Sequence, residues 1–302
     1  MPVSRSHQRL AIKIFGLFSL VRGYNIVVLI LAQYLTSRYI LAPSSSFYEI
    51  LFDLKLFYLV LATAFSTAAG YIINNFYDAE KDSINRPQQV TIEKLVSQNT
   101  KLMVYFILNL LVVIIASYVS FRAVLFFSVY IFAIWFYSHK IKKKPIIGNL
   151  ISAILTITPF FAIFLYYKNF SSLIFVFGFY LFLILSMREL VKDLSNLKGD
   201  LVLNYKTIPV VYGEIYAKFM ILFLVLANIS VTSFLLLSYD LGRMDSFFYF
   251  SIILLFLVLL LLFKAHKYQQ YSRIHWLLKL LVLLGVFSIV LLNPSLILSK
   301  IL

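Results

Sequence analysis

Apolar runs recur along the whole chain, and short polar or charged clusters interrupt them at regular intervals. Each run approaches the roughly 20 apolar residues that a helix needs to cross the hydrocarbon core of a bilayer. The pattern therefore predicts an all-α integral membrane protein with nine transmembrane helices. The predicted spans are residues 14–36, 55–77, 101–119, 122–138, 147–167, 171–191, 215–238, 246–264 and 275–297.

The composition agrees with this pattern and excludes some chemistry. Of 302 residues, 62% are hydrophobic and 13% are charged, whereas a soluble domain carries about 25% charged residues. The chain contains no cysteine, which excludes disulfides, thiolate nucleophiles and thiolate metal sites. Since the first apolar stretch contains Arg22 and lacks a small-residue cleavage signal, we expect a retained first span.

Basic residues indicate the side of the membrane on which each loop lies. The net charge is +15, and most Lys and Arg residues fall in loops on the N-terminal side, including the run from Lys140 to Lys144. The positive-inside rule therefore predicts a cytoplasmic N-terminus in the cell membrane, which is the inner membrane in a bacterium. Because basic loops beside anionic lipid account for the charge, we expect no nucleic-acid partner. Nothing in the sequence indicates an obligate protein partner.

Acidic residues are rare and clustered. The chain has twelve Asp and Glu residues, and most of them follow the second and sixth predicted spans. Asn75, Asp78 and Asp82 are three and four positions apart, so a helix would place them on one face. Carboxylates at that spacing repel each other unless a cation lies between them.

The second acidic region repeats this spacing 118 residues later, at Asp193, Asn196 and Asp200. Four spans fit in the interval, so the sequence predicts two four-helix pseudo-repeats plus a ninth helix, with both clusters at the cytoplasmic face. Carboxylate and amide oxygens suit Mg²⁺, which shares its remaining positions between water and phosphate oxygens. The two clusters together therefore predict a site for a diphosphate and its metal ions.

Two other interpretations remain open from the residues alone. Either cluster by itself is typical of a solvated helix end, and acidic loops can also bind Ca²⁺ or line the cation pathway of a transporter. No further acidic residue lies deep in a span to continue such a pathway, which favours the enzyme. If Asp78 and Asp200 lie at solvated helix ends, alanine at either position should abolish activity and leave folding intact.

Both clusters resemble motifs of the UbiA superfamily of intramembrane prenyltransferases. Residues 74–82, the first motif, are similar to Asn-Asp-x-x-Asp-x-x-x-Asp, with Asn75 in place of the second-position Asp. Residues 188–200, the second motif, resemble Arg-Glu-x-x-Lys-Asp-x-x-Asp-x-x-Gly-Asp, with Asn196 in place of the middle Asp. Weaker matches lie at residues 22–25, 84–87, 148–149 and 207–213.

The resemblance implies a nine-helix bundle around a central cavity, formed by residues 1–302 as a single transmembrane prenyltransferase domain. It implies transfer of a prenyl group from a prenyl diphosphate to a lipophilic acceptor, with Mg²⁺ as cofactor and Asp78, Asp82, Asp193 and Asp200 as catalytic residues. The implied metal-binding residues are Asn74, Asn75, Asp78, Asp82, Asp193, Asn196 and Asp200. The implied contacts to diphosphate or substrate are Arg22, Asn25, Arg86, Lys142 and Lys192.

The acceptor depends on which branch of the superfamily the chain resembles. Residues 82–87 together with the second motif look closest to geranylgeranylglyceryl-phosphate geranylgeranyltransferases and chlorophyll synthases. The Asp-Arg-x-x-Asp pattern typical of 4-hydroxybenzoate polyprenyltransferases does not occur. An ether-lipid product is therefore expected first, and an aromatic or quinone-precursor acceptor is the alternative.

Overall fold

The structure, a computed structural model, describes residues 16–292 except residue 94. Within them it contains nine helical segments that are long and apolar enough to cross a membrane. Their bounds are Gly23–Leu41, Leu54–Asn85, Gln98–Ser117, Phe121–Lys143, Ile147–Tyr167, Ser172–Val202, Glu214–Ser238, Gly242–Lys264 and Tyr268–Leu291. This confirms the predicted number of spans. The predicted residues 14, 15 and 293–297 lie outside the described residues.

Shorter elements complete the described chain. Three short helices lie between spans, at Phe47–Leu51, Pro87–Glu93 and Ile208–Tyr212. The first span ends in a π-helical turn, Ser37–Leu41. Turns of 3₁₀ helix occur at Ile141–Lys143, Gly242–Met244 and Ile289–Leu291.

Polar residues at loop boundaries explain where several spans begin. Asp53 Oδ1 accepts hydrogen bonds from the backbone N–H groups of Lys55 and Leu56, at 3.0 and 3.2 Å, and so caps the second span. Ser97 and Ser120 cap the third and fourth spans in the same way, through the N–H groups of the third residue of each helix. These side chains satisfy donors that the first turn of a helix leaves without partners.

The second and sixth spans are much longer than a bilayer requires. They contain 32 and 31 residues, which corresponds to about 47 Å of helix against about 30 Å of hydrocarbon. Each predicted motif lies at the C-terminal end of its helix, without a break between the apolar part and the motif. The predicted one-face spacing is therefore realised in both motifs.

The first span begins later than predicted. Residues 16–20 are helical, but Val21 and Arg22 form a turn in which Arg22 has a positive φ of 50°. A new helix starts at Gly23, and the first of the nine segments that could cross a membrane starts at the same residue. Arg22 therefore lies in a turn between two helical segments and not within one continuous helix, because the hydrophobic run continues through a break in the helix.

The chain forms two compact units. The first comprises the residues through Ile30 together with Phe57–Lys140, and the second comprises Leu31–Leu56 and the residues from Ile141 onward. In the first unit, Ala69, Ile72 and Ile73 of the second span form a buried cluster with Leu20 and Tyr105. In the second unit, the sixth span supplies the centre of a larger core that also includes the seventh, eighth and ninth spans. Each unit carries one of the two motifs.

Candidate active site

In the first unit, the first motif lies on one continuous helix, Leu54–Asn85. Asp78 and Asp82 are partly exposed, whereas Asn75, one turn earlier, is only 8% exposed. On this helix face, the carboxylates near the C-terminal end are therefore partly exposed to solvent, whereas the amide one turn earlier is buried. Arg86 follows at the next turn, and its N–H donates to the Asp82 carbonyl at 2.7 Å.

Asn75 has a buried lysine as its partner. Lys101 Nζ donates to Asn75 Oδ1 at 2.8 Å, and Lys101 is 3% exposed. Lys101 is the fourth residue of helix Gln98–Ser117. Its position at the start of an apolar run suggests only a topological role, so the sequence did not identify it as part of a site.

Tyr71 connects the first span to the face of the first motif. It precedes Asn75 by one turn, and its hydroxyl accepts a hydrogen bond from Asn25 Nδ2 at 3.1 Å. The guanidinium carbon of Arg22 lies 5.4 Å from the centre of the Tyr71 ring, within the range of a cation–π contact. The structure thus places two predicted substrate-binding residues on a shared partner in the motif helix, although Tyr71 itself was not predicted.

In the second unit, neutral donors hold two of the predicted carboxylates. Asn149 Nδ2 donates to Asp193 Oδ2 at 2.7 Å, and Thr207 Oγ1 donates to Asp200 Oδ2 at 3.3 Å. Asp200 is fully buried and Asn196 is 2% exposed. Asp200 does not lie at a solvated helix end as expected, because the segment after the helix folds back and covers it.

Lys192 has an acidic neighbour on its own helix. Its ammonium lies 2.9 Å from Glu189 Oε2, and both side chains are partly exposed. A phosphate would therefore compete with Glu189 for this lysine.

The basic segment 141–144, at the end of the fourth span, is hydrogen-bonded to the residues that follow the second motif. The Lys206 N–H donates to the Lys143 carbonyl at 3.0 Å, and Lys143 Nζ lies 4.9 Å from the centre of the Tyr205 ring. The Tyr205 N–H in turn donates to the carbonyl of Asp200 at 2.9 Å. The loop that contains Lys142 is thereby joined to the end of the motif helix.

Gly148 allows this loop to approach the start of the fifth span. A Cβ atom at position 148 would lie 3.2 Å from the Ile141 carbonyl oxygen and 3.3 Å from that of Lys142. These contacts are with backbone, which cannot move aside as a flexible side chain can. The absence of a side chain at Gly148 therefore allows the backbone of residues 141 and 142 to pack closely against the start of the helix that carries Asn149.

The donor set of the two motifs consists of carboxylate and amide oxygens, the ligands that Mg²⁺ prefers. Within residues 16–292, no three His, Asp or Glu side chains form a group that could hold a metal ion. A bound ion would therefore depend on fewer carboxylates at a time, with amide oxygens, water and a diphosphate completing its coordination. A neutral donor on one oxygen of Asp193 and of Asp200 leaves each carboxylate oriented, as outer partners do in metal sites. The residues present fit a Mg²⁺–diphosphate complex of this kind.

The described chain thus has the features of an all-helical integral membrane protein in which two over-long helices end in matching polar motifs. Residues 30–289 match the model of the UbiA prenyltransferase family. The chain therefore belongs to the UbiA prenyltransferase family. It is a membrane-embedded prenyltransferase, and the transporter alternative is set aside.

Two relatives carry the same name. Over 145 residues the chain is 34% identical to the digeranylgeranylglyceryl phosphate synthase of Thermococcus sibiricus. This alignment covers 48% of this chain and 51% of that protein. Over 230 residues it is 29% identical to the digeranylgeranylglyceryl phosphate synthase of Thermococcus gammatolerans. This second alignment covers 76% of this chain and 82% of that protein. The alignment thus spans about half the length of the first relative and most of the second.

A solved structure has the same fold. A UbiA homolog from Archaeoglobus fulgidus, bound to GPP and Mg²⁺, superposes with a TM-score of 0.67 at 14% identity. The match covers 91% of this chain and 99% of that chain. This likeness confirms the predicted UbiA-like fold.

Proposed function

We propose that this chain transfers a geranylgeranyl group from its diphosphate to geranylgeranylglyceryl phosphate, and so makes an ether lipid. The observation that carries the proposal is the pair of matching motifs at the ends of two over-long helices. The shared name of the two relatives supports this choice of acceptor. We further propose that both units act together as one catalytic domain, because each contributes one motif.

In this proposal, the two motifs hold the donor diphosphate through Mg²⁺. Six of the seven predicted metal ligands are proposed to hold Mg²⁺: Asn74, Asp78, Asp82, Asp193, Asn196 and Asp200. Asn75 is not among them because its side-chain oxygen accepts a hydrogen bond from Lys101. When bound, Mg²⁺ would neutralise the charge that grows on the departing diphosphate. That the solved Archaeoglobus fulgidus homolog holds GPP together with Mg²⁺ supports this cofactor.

The remaining predicted residues contact the phosphates directly. Arg22 and Asn25 would approach from the Tyr71 side of the first motif, and Lys142 from the loop fastened beside Asp200. Arg86 lies one turn after Asp82 and Lys192 one turn before Asn196, so both would be positioned to reach the same diphosphate. Arg is suited to bind two phosphate oxygens at once, and Lys contributes a point charge.

The reaction breaks the bond between the allylic carbon and the diphosphate oxygen. The hydroxyl oxygen of the acceptor forms the new carbon–oxygen bond, its proton is released, and diphosphate departs with the electron pair of the broken bond. Positive charge grows on the allylic carbon during this step, so water must be kept away until the acceptor attacks.

The acceptor can be tested directly with purified protein. We expect labelled geranylgeranyl diphosphate to be incorporated into geranylgeranylglyceryl phosphate when Mg²⁺ is present, and 4-hydroxybenzoate to yield no product. Product from 4-hydroxybenzoate alone would instead favour the aromatic alternative. Product from neither acceptor, with no release of diphosphate, would contradict the proposal.

We also propose that the N-terminus and both motif ends face the cytoplasm, as the distribution of basic residues predicts. The chain has no native cysteine, so single cysteines can report the orientation. Cysteine at the exposed positions Ser83 and Lys198 should react with an impermeant maleimide only from the cytoplasmic side. The control is Ser44, exposed in the loop after the first span, which should react only from the opposite side. Labelling of Ser83 and Lys198 from opposite sides would contradict a joint site.

A further inference from the structure

The bond between Lys101 and Asn75 determines how the Asn75 amide is oriented. An ammonium group has three donors and no acceptor, so only the oxygen of an amide can face it. The 2.8 Å contact therefore assigns Oδ1 to the Lys101 side. The NH₂ group of Asn75, which carries two donors, is directed away from Lys101.

Asn75 shares its helix face with Asp78 and Asp82, where the proposed function places the diphosphate. An NH₂ group on this face can donate to a phosphate oxygen, but it cannot bind a cation. The resemblance to the family motif instead makes Asn75 a metal ligand, which would require its oxygen. These two roles make opposite demands on one planar amide.

The oxygen is poorly placed for a metal. An ion bound to Asn75 Oδ1 at the usual Mg–O distance of about 2.1 Å would lie within about 5 Å of the Lys101 ammonium. Both cations would be buried, since Asn75 is 8% and Lys101 3% exposed. Like charges repel strongly at such a distance when water is largely excluded.

Lys101 is held firmly in this position. Ser97 caps the helix, with its Oγ accepting from the Thr100 N–H at 3.2 Å, and the Lys101 N–H donates to the Ser97 carbonyl at 3.0 Å. The side chain of Lys101 thus extends from a fixed first turn. A cation held beside the motif also favours an anion at the same place.

We propose that Lys101 is a positioning residue that fixes Asn75 as a hydrogen-bond donor to the prenyl diphosphate, so that Asn75 binds a phosphate oxygen and not Mg²⁺. This inference rests on the proposed function and assigns a role within that site. It also explains why an amide replaces a carboxylate at this position of the first motif. A carboxylate there has no hydrogen to donate and would repel the phosphate.

The test measures binding rather than turnover. The probe is geranylgeranyl thiolodiphosphate, in which sulfur replaces the bridging oxygen so that transfer is blocked. Two quantities are measured on purified protein: the Kd of the probe at saturating Mg²⁺, and the Mg²⁺ concentration that gives half-maximal probe binding. The variants are Asn75→Asp, Lys101→Met and Lys101→Arg.

Asn75→Asp separates the two roles because it keeps the size of the side chain and can still pair with Lys101. We expect the Kd of the probe to rise about tenfold or more, as for a lost hydrogen bond to a charged group, without a lower Mg²⁺ requirement. If Asn75 binds the metal, the new carboxylate should lower the Mg²⁺ requirement and preserve probe binding. That result would overturn the proposal.

Lys101→Met should weaken probe binding in the same way, and Lys101→Arg should restore most of it because a donor-only cation is retained. Lys218→Met is the matched control, since Lys218 is also buried, at 4% exposure, and donates to the Ala265 carbonyl at 2.7 Å in the other unit. It should shift the unfolding temperature without changing the Kd of the probe. If Lys101→Met binds the probe with wild-type affinity, the role of Lys101 is rejected and the proposed function stands. If the wild type shows no Mg²⁺-dependent binding of the probe, both the role of Lys101 and the proposed function are rejected.

Discussion

Replacing Asp78 by Asn should lower kcat/KM for prenyl transfer by about a hundredfold to a thousandfold, as for removal of one group that stabilises charge in the transition state. The change preserves the size of the side chain and removes only its charge. Asp78 is partly exposed near the end of a long helix, so the unfolding temperature should change little. Incorporation of labelled geranylgeranyl diphosphate at saturating Mg²⁺ provides the measurement.

Glu80→Gln is the matched control for this experiment. Glu80 is exposed and lies two positions further along the same helix, which places it on the opposite face. The same loss of charge should there leave turnover near the wild-type value. Normal turnover of Asp78→Asn would rule out a role for Asp78 in holding the metal.

Arg22→Ala should weaken binding of the prenyl diphosphate by about 1.5–3 kcal/mol, the range for losing a hydrogen bond to a charged group, since Arg22 is partly exposed. The guanidinium contacts the Tyr71 ring, one turn before Asn75, where an anion bound to the motif would be within reach. The KM for the acceptor should change little. The measurement is equilibrium binding of labelled donor in detergent.

Arg38→Ala offers an unusually close control for Arg22→Ala. Arg38 also lies over a tyrosine, 5.3 Å from the Tyr39 ring centre, but at the other end of the first span, where it donates to the Pro43 carbonyl at 3.1 Å. Its removal should leave donor affinity unchanged. Unchanged affinity in Arg22→Ala as well would mean that Arg22 only stacks on Tyr71.

The fold was largely predictable because lipid demands long apolar helices, and that demand is visible in sequence. The predicted spans agree with the structure in number and nearly in position. The predicted and observed ends of a span differ where an apolar run and a helix do not begin at the same residue. The apolar run of the first span continues through the turn at Arg22, and the ninth span starts at Tyr268 because polar residues there still form helix.

The candidate site was predictable only in part. Spacing along two separate helices identified Asp78 and Asp82 on one and Asp193 and Asp200 on the other, since residues on one face follow from helix periodicity. Partners from other helices are not encoded by spacing. Lys101 resembles an ordinary loop-side lysine, and Asn149 matched a weak family signature without any indication that it holds Asp193.

Burial was the other property that sequence reasoning missed. Asp200 is fully buried, although its position at the end of an apolar helix suggested a solvated carboxylate. The segment 204–207 covers it, with Asn204 at a positive φ of 54° and Thr207 donating to the carboxylate. A turn of this kind depends on local backbone conformation, which periodicity does not report.

The most direct test of a single site shared by both motifs is the stoichiometry of Mg²⁺-dependent binding of geranylgeranyl thiolodiphosphate. Wild-type protein should bind one probe molecule per chain. Asp78→Asn and Asp193→Asn should each weaken that binding, and the double variant should lose less than the sum of the two changes, as expected for residues that act on one ligand. Two probe molecules per wild-type chain, with each variant losing one of them, would show that the motifs bind separately and would contradict a shared active site.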